Sequence, residues 1–317
     1  MLLPGGHANS VAAAPTLAST THELSNDGAA LTMPPIGARI GEGDRFELLE
    51  MIGKGGSAVV FKGRDHELDR IVAMKFVRAV PFLDSPSGDS LVMEARATAR
   101  LNHENIVTVY DIAHWQNIPY FLMEHVEGHS LETRMARRTL LPSTALDIAI
   151  QVAAAVEHAH AAGVLHLDLK PSNVLINVRG KAKVIDFGVA GFIASARARP
   201  HAGQQSSFFV GTPAYMAPEQ WAMQPLDERT DVWGVAALLF EMLTGRPIDV
   251  RRPTTHGAAA CVERPFPNLT SDLANVLRRA LESRPDDRFS TVSELLQSLR
   301  LAGGTVSARG LATFDAR

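Results

Sequence analysis

Hydrophobic periodicity changes along this chain, and that change limits the fold more than any other feature of the sequence. Up to about residue 126 the apolar residues come in strand-length runs, at 46–49, 58–62, 71–77, 106–112 and 119–123, rich in β-branched and aromatic side chains. One helical stretch sits among them, from Ser90 to Leu101. Beyond it, Leu146, Ala149, Ile150, Ala153, Val156 and Ala159 fall on one helical face closed by Gly163. Val232 to Leu243 is apolar nearly all round except for Glu241, and Leu273 to Leu281 and Val292 to Leu299 are amphipathic. The expectation is an α+β chain in two parts: a small antiparallel β-sheet lobe of about five strands with one main helix, then a larger, mostly helical lobe.

The ends lack such patterns. Residues 1–37 hold four prolines and four glycines among Ala, Ser and Thr, so a disordered tail is expected over 1–40, with folded structure starting between 40 and 46. Residues 301–317 read as a short frayed tail. With 31 basic and 34 acidic residues the net charge is 31 − 34 = −3, which gives no basic surface for nucleic acid. The run Val232 to Leu243 is shorter than the roughly 20 residues a membrane span needs. With Pro4-Gly5-Gly6 directly after Met1-Leu2-Leu3, export by a secretory signal is not expected. One cysteine, Cys261, can form neither an intramolecular disulfide nor a thiolate zinc cluster, and the expected compartment is the reducing cytoplasm.

Two local features carry chemistry. Gly53-Lys54-Gly55-Gly56-Ser57-Ala58 lies between two strand runs. It reads either as an ordinary hairpin turn or as a loop whose backbone N–H groups approach phosphate oxygens with no Cβ in the way. Lys75 stands inside the apolar run Val72-Ala73-Met74-Lys75, where an unpaired buried ammonium would cost several kcal/mol, so it needs an anionic partner.

Together these resemble the protein kinase family, in which a Val-Ala-Ile-Lys strand follows a glycine-rich loop and its lysine pairs with a glutamate on the next helix, here Glu94. The likeness continues in order along the chain. His166-Leu167-Asp168-Leu169-Lys170-Pro171-Ser172-Asn173 resembles the catalytic loop, Asp186-Phe187-Gly188 the magnesium motif, and Ala217-Pro218-Glu219 the end of the activation segment. Asp231 resembles the buried aspartate of the central helix and Arg288 the arginine that pairs with Glu219. The resemblance implies a bilobal kinase domain over 46–300, divided into 46–126 and 127–300. It implies transfer of the ATP γ-phosphate to Ser or Thr hydroxyls of protein substrates, itself included, with Mg²⁺ or Mn²⁺.

It also implies roles for single residues. Asp168 would take the proton of the attacking hydroxyl, and Lys170 would offset charge on the γ-phosphate; that lysine and Gly211-Thr212-Pro213 resemble the Ser/Thr branch. Asp186 and Asn173 would hold the metal through oxygen. Lys75, oriented by Glu94, would hold the α- and β-phosphates. Ile52, Gly53, Lys54, Gly55 and Gly56 would cover the nucleotide. Val60, Ala73 and Leu175 would enclose adenine, Met123 would be the gatekeeper, the backbones of Glu124 and Val126 would read the base edge, and Ser130 would reach the ribose. For the apolar residues, plain core packing is the competing reading. Thr212 would contact Asp168 through its hydroxyl.

Three positions depart from the family pattern. Ala58 replaces the third loop glycine, Leu167 replaces the catalytic-loop arginine that would pair with a phosphorylated activation loop, and Thr98 stands where a larger apolar residue is usual, so that its hydroxyl needs a hydrogen-bond partner. His158, His160 and His166 do not read as a metal site, because His158 and His160 are two apart on a helix and do not share a face. A nucleotide-binding scaffold without catalysis and a small-molecule phosphotransferase are the other readings. Retention of Lys75, Glu94, Asp168, Asn173 and Asp186 stands against the first, and the peptide-docking motifs stand against the second. Dimerisation is left open by the sequence.

Overall fold

The computed structural model of the chain describes residues 33–55, 58–77, 98–116, 118–137, 140–187, 212–248 and 270–312. The strand-length runs become β1 (Arg39–Ile40), β2 (Phe46–Lys54), β3 (Ala58–Asp65), β4 (Arg70–Val77), β5 (Val109–Trp115) and β6 (Ile118–Glu124), which form one antiparallel sheet in the order β1-β2-β3-β4-β6-β5. Alternation along β4 sets its two faces. Val72, Met74 and Phe76 are fully buried, and Phe76 lies edge-on to Phe61 and stacked on Tyr120, with ring centroids 5.5 and 5.0 Å away. The opposite face carries Ala73 and Lys75. Register places Met123 across from Ala73, and Val60 across from Lys75.

The sheet gains a strand over the expected number, because Arg39 and Ile40 pair with Glu47 and Phe46, and the Gly37 amide donates to the Leu48 carbonyl at 2.8 Å. Ordered chain therefore starts before residue 40, and the expected tail over 1–40 is too long; residues 1–32 lie outside the described part. The strand expected at 106–112 begins only at Val109, since Ile106 and Val107 are drawn to Val184 instead: Val107 donates its amide to the Val184 carbonyl at 2.9 Å. Of the helix expected at 90–101 only residues from 98 onward lie in the described part.

The second part follows as β7 (Gly128–Ser130), α1 (Leu131–Arg137), α2 (Pro142–Ala161), β8 (Val174–Asn177), β9 (Ala182–Val184), α3 (Pro218–Trp221), α4 (Glu228–Thr244), α5 (Ser271–Ala280) and α6 (Val292–Ala312). The predicted face of α2 is buried against α4 and α6 except for a partly buried Ile150, and α4 is buried all round from Thr230 to Phe240. α6 runs twelve residues past the point where a frayed tail was expected: the glycines at 303 and 304, each costing a helix about 1 kcal/mol, do not end it. β7, β8 and β9 form a small antiparallel sheet. Only glycine fits at 128, where a Cβ would lie 2.1 Å from the Ile176 carbonyl oxygen. This small sheet places Asn173 directly before β8 and Asp186 two residues after β9.

α3 is anchored to the chain after α5 by a buried ion pair. Arg288 donates to both carboxylate oxygens of Glu219, at 2.8 and 2.7 Å, and its remaining N–H groups go to the carbonyls of Glu282, Arg229 and Ser283. All five guanidinium donors are thus used in a site where both side chains are at most 2% exposed. Removing one partner strands the other charge, so Glu219→Ala is expected to lower the unfolding free energy in urea by about 3–5 kcal/mol. A loss below about 1 kcal/mol would show that the pair carries no such burden.

Candidate active site

Asp231, near the start of α4, is 1% exposed. Its carboxylate accepts the amides of His166 and Leu167, each at 2.7 Å, and bonds His160 Nε2 at 2.8 Å. These bonds hold the loop before Asp168 in an unusual shape: Leu167 sits at φ 62, a left-handed conformation that costs a non-glycine residue about 1–2 kcal/mol. Its side chain is buried, at 7% exposure, and its carbonyl accepts from Gln220 Nε2 at 2.9 Å.

The turn at Leu167 delivers Asp168 into a ring of polar contacts. Asp168 Oδ1 accepts the Thr212 amide at 3.0 Å, and Oδ2 accepts Lys170 Nζ at 2.6 Å. Asn173 Nδ2 donates to the Asp168 carbonyl at 2.9 Å and to Oδ2 at 3.3 Å. The expected contact of Thr212 is therefore made by its amide, while its hydroxyl accepts from Lys170 at 2.7 Å. Because the nitrogen of Asn173 is committed to Asp168, the oxygen of the carboxamide is the end left to act as an acceptor.

Lys75 forms an ion pair with Asp186, so the anionic partner its burial demanded comes from β9's far end; Glu94, the partner expected from the motif, lies outside the described residues. Asp186 is also left-handed, at φ 65. Burial pushes its carboxyl up, but the charge and hydrogen bond of Lys75, with a smaller part from Lys170, outweigh that and hold it below the usual carboxylate range. Phe187 is buried edge-on against His166, centroids 4.7 Å apart, and its carbonyl accepts the Thr98 hydroxyl at 3.2 Å. The hydroxyl that replaces an apolar residue at 98 is thus satisfied.

His166 itself is a neutral ring with fixed roles. Nδ1 faces the Asp168 amide at 3.3 Å and Nε2 faces the Ile185 carbonyl at 3.1 Å, which assigns the proton to Nε2. Burial, opposed by Asp231 and Asp168, holds its pKa below the ordinary value.

The residues expected on the nucleotide side fall mainly on the two sheets of the fold. Val60, Ala73, Lys75 and Met123 share one face of the large sheet, with Gly53 opposite Val60. Ile52 is 47% exposed, Lys54 ends β2, and the Gly55 amide closes the turn onto Ala58 O at 2.9 Å; Gly56 and Gly188 are outside the described part. Leu175 lies on β8 opposite Ser130 and Lys183. Ser130 is engaged in capping α1, accepting the Thr133 amide at 3.1 Å and bonding Thr133 Oγ1 at 2.9 Å. Val126 follows β6, half-buried. The Glu124 amide donates to Thr108 O at 2.9 Å.

Sequence reasoning missed the polar ties behind these residues. Lys183 joins the Glu124 carboxylate, at 2.9 Å, to the Ile106 carbonyl, at 3.3 Å, and Gln220 reaches the catalytic loop. No local pattern marks either one. Among the described residues no three His, Cys, Asp or Glu side chains gather as a metal set. His158 lies beside His103, ring centroids 5.3 Å apart, while His160 and His166 are committed as above. Nor is any helix there long and apolar enough to cross a membrane.

Comparison with known proteins decides the family: the sequence model of the protein kinase domain matches residues 46–299. The chain belongs to the protein kinase family. A protein of Streptomyces coelicolor named a probable serine/threonine-protein kinase is 35% identical to this kinase domain over 268 residues, covering 80% of this chain and 39% of its own length. The serine/threonine-protein kinase PknB of Mycobacterium tuberculosis is 33% identical over 273 residues, 81% of this chain and 42% of its own. The chain spans about two fifths of the length of these relatives. The solved kinase domain of Mycobacterium tuberculosis PknI shares the fold, with a TM-score of 0.67 at 24% identity over 85% of this chain and all of that one.

The neutral His166 gives the kinase domain a pH dependence of definite sign. An unfolded histidine takes up a proton near pH 6.5, whereas the folded ring binds one only at lower pH, so the unfolded state holds more protons between the two and stability falls as pH drops through that window. Urea unfolding at pH 7.5 and 5.5 is expected to show lower stability at 5.5, with a smaller difference in His166→Phe. An equal difference in the variant would assign the effect elsewhere.

Proposed function

We propose that this chain is a serine/threonine protein kinase that transfers the ATP γ-phosphate to Ser or Thr hydroxyls of proteins, itself included. The observation that carries the reading is the position of Asp168. One oxygen is fixed by the Thr212 amide and the other by Lys170, so a carboxylate is held at the junction of the catalytic loop and the chain leading to Ala217-Pro218-Glu219. An acceptor hydroxyl placed there gives its proton to Asp168 as its oxygen bonds to the γ-phosphorus, and the bond to the β-phosphate oxygen breaks to release ADP. Lys170 offsets charge on the transferring group, and Lys75 binds the α- and β-phosphates.

The donor set suits Mg²⁺. That ion keeps several waters and substrate phosphate oxygens and takes only one or two protein oxygens, which here would come from the Asp186 carboxylate and the Asn173 carboxamide. Bound there, the metal would neutralise phosphate charge; the protein's own part is to fix these two ligands through Lys75 and Asp168. Adenine would lie on the face formed by Val60, Ala73 and Met123, with Leu175 on the other side and the backbones of Glu124 and Val126 at its edge. Ser130 is left a minor part at the ribose, since its hydroxyl caps α1. The names of the curated relatives support the Ser/Thr class. Lys170 with Thr212 supports it as well.

Purified chain given labelled ATP and Mg²⁺ is expected to label itself and a generic protein substrate on serine or threonine. Asp168→Asn should lower kcat by about 10²- to 10⁴-fold, and Lys75→Met should abolish detectable transfer; chelating the metal should do the same. Nucleotide binding by the wild type without any transfer, in Mg²⁺ or Mn²⁺, would make it a scaffold instead.

A further inference from the structure

The side chain at 167 is an apolar leucine, yet the loop that carries Asp168 is held tightly, and part of the hold comes from a residue outside the catalytic motifs. Gln220 is the third residue of α3. Its Oε1 accepts the Ala217 amide at 2.9 Å and its Nε2 donates to the Leu167 carbonyl at 2.9 Å. One planar carboxamide thus joins two backbone segments, one of them ending in Glu219, which the buried Arg288 fixes. The other end of the same segment grips the loop through Thr212, whose amide and hydroxyl reach Asp168 and Lys170.

Both backbone polar groups of Leu167 are therefore clamped, the N–H by Asp231 and the C=O by Gln220. This matters because Leu167 is left-handed. Released from either clamp, it gains by turning toward an ordinary conformation, and the peptide that turns is the one leading into Asp168. The geometry points to Gln220 as a positioning residue of the transfer site: it ties the Ala217-Pro218-Glu219 segment to the backbone of the catalytic loop and sets Asp168 for the acceptor hydroxyl without an ionic side chain at 167. The link is uncharged, so it needs no phosphate to form. This inference rests on the protein kinase reading and specifies how its catalytic loop is kept in place.

Gln220→Glu in the full chain is the decisive variant, because it keeps shape and the acceptor for the Ala217 amide but turns an anionic oxygen toward the Leu167 carbonyl. The expected result is a kcat lowered at least about tenfold, as small misplacements of a catalytic group cost that much or more, with KM for ATP and nucleotide Kd within about twofold of wild type. Amide hydrogen exchange at 166–169 should be faster in the variant. Gln220→Met, of equal length and no polar atoms to donate, should behave alike. Unchanged kcat and exchange in both variants would overturn the proposal, as would a loss of kcat that appears only together with lost nucleotide binding and early thermal unfolding. If the wild type transfers no phosphate the kinase reading falls by itself, and the exchange at 166–169 then decides this inference: faster supports it, unchanged overturns it.

Discussion

Two consecutive amides, those of His166 and Leu167, point at the two oxygens of one carboxylate buried in α4, Asp231. A backbone can present successive N–H groups to one anion only by bending sharply, and here the bend places Leu167 in the left-handed region. The strain is affordable because the alternative is worse. An ion at 1% exposure that lost these donors would keep only His160, and an unsatisfied buried charge costs several kcal/mol. The catalytic loop thus takes its shape from the core of the helical part, and Asp168, His166 and Asn173 follow from that shape.

Charge at the candidate site is arranged in pairs, Lys75 with Asp186 and Lys170 with Asp168. Each pair is partly exposed, so each can exchange its partner for a ligand without abandoning a charge to the interior. In the proposed reaction Lys75 would turn to phosphate, freeing an Asp186 oxygen for a cation, and Lys170 would turn to the γ-phosphate and leave Asp168 to the hydroxyl. Such pairs suit a site that must bind a polyanion and a cation in one place and release both. The net charge of the whole chain, 31 basic against 34 acidic residues, is near zero, so the proposed anion binding would rest on these local lysines.

What could be read from the sequence was whatever repeats or recurs. A strand-length β-branched apolar run marked β4, whose Val72, Met74 and Phe76 are buried, period 3.6 marked α2, and a stretch apolar nearly all round marked α4. The candidate site residues were legible because their order along the chain is characteristic, though no single one of them carries a signal. The strand β1 was illegible because two residues, Arg39 and Ile40, hold no period. The end of α6 was illegible because two glycines imitate a stop. Lys75 had to have an anion near it by the cost of burial alone, but which anion is a matter of a pairing across 111 residues, and no local pattern encodes that.

The departures at 98 and 167 show why residue identity misleads when it is judged one position at a time. Thr98 loses apolar contact, yet its hydroxyl finds the Phe187 carbonyl, so the column beside His166 gains a directional bond in exchange for dispersion. Leu167 loses the donors of an arginine, yet its backbone carries what the side chain does not: an N–H on Asp231 and a C=O under Gln220. Removing a charged side chain is tolerable where the same segment is already held by main-chain bonds to groups that are themselves fixed, Asp231 by α4 and Gln220 by its neighbour Glu219 on Arg288. Order in the catalytic loop is then a property of the folded core rather than of the side chain at 167.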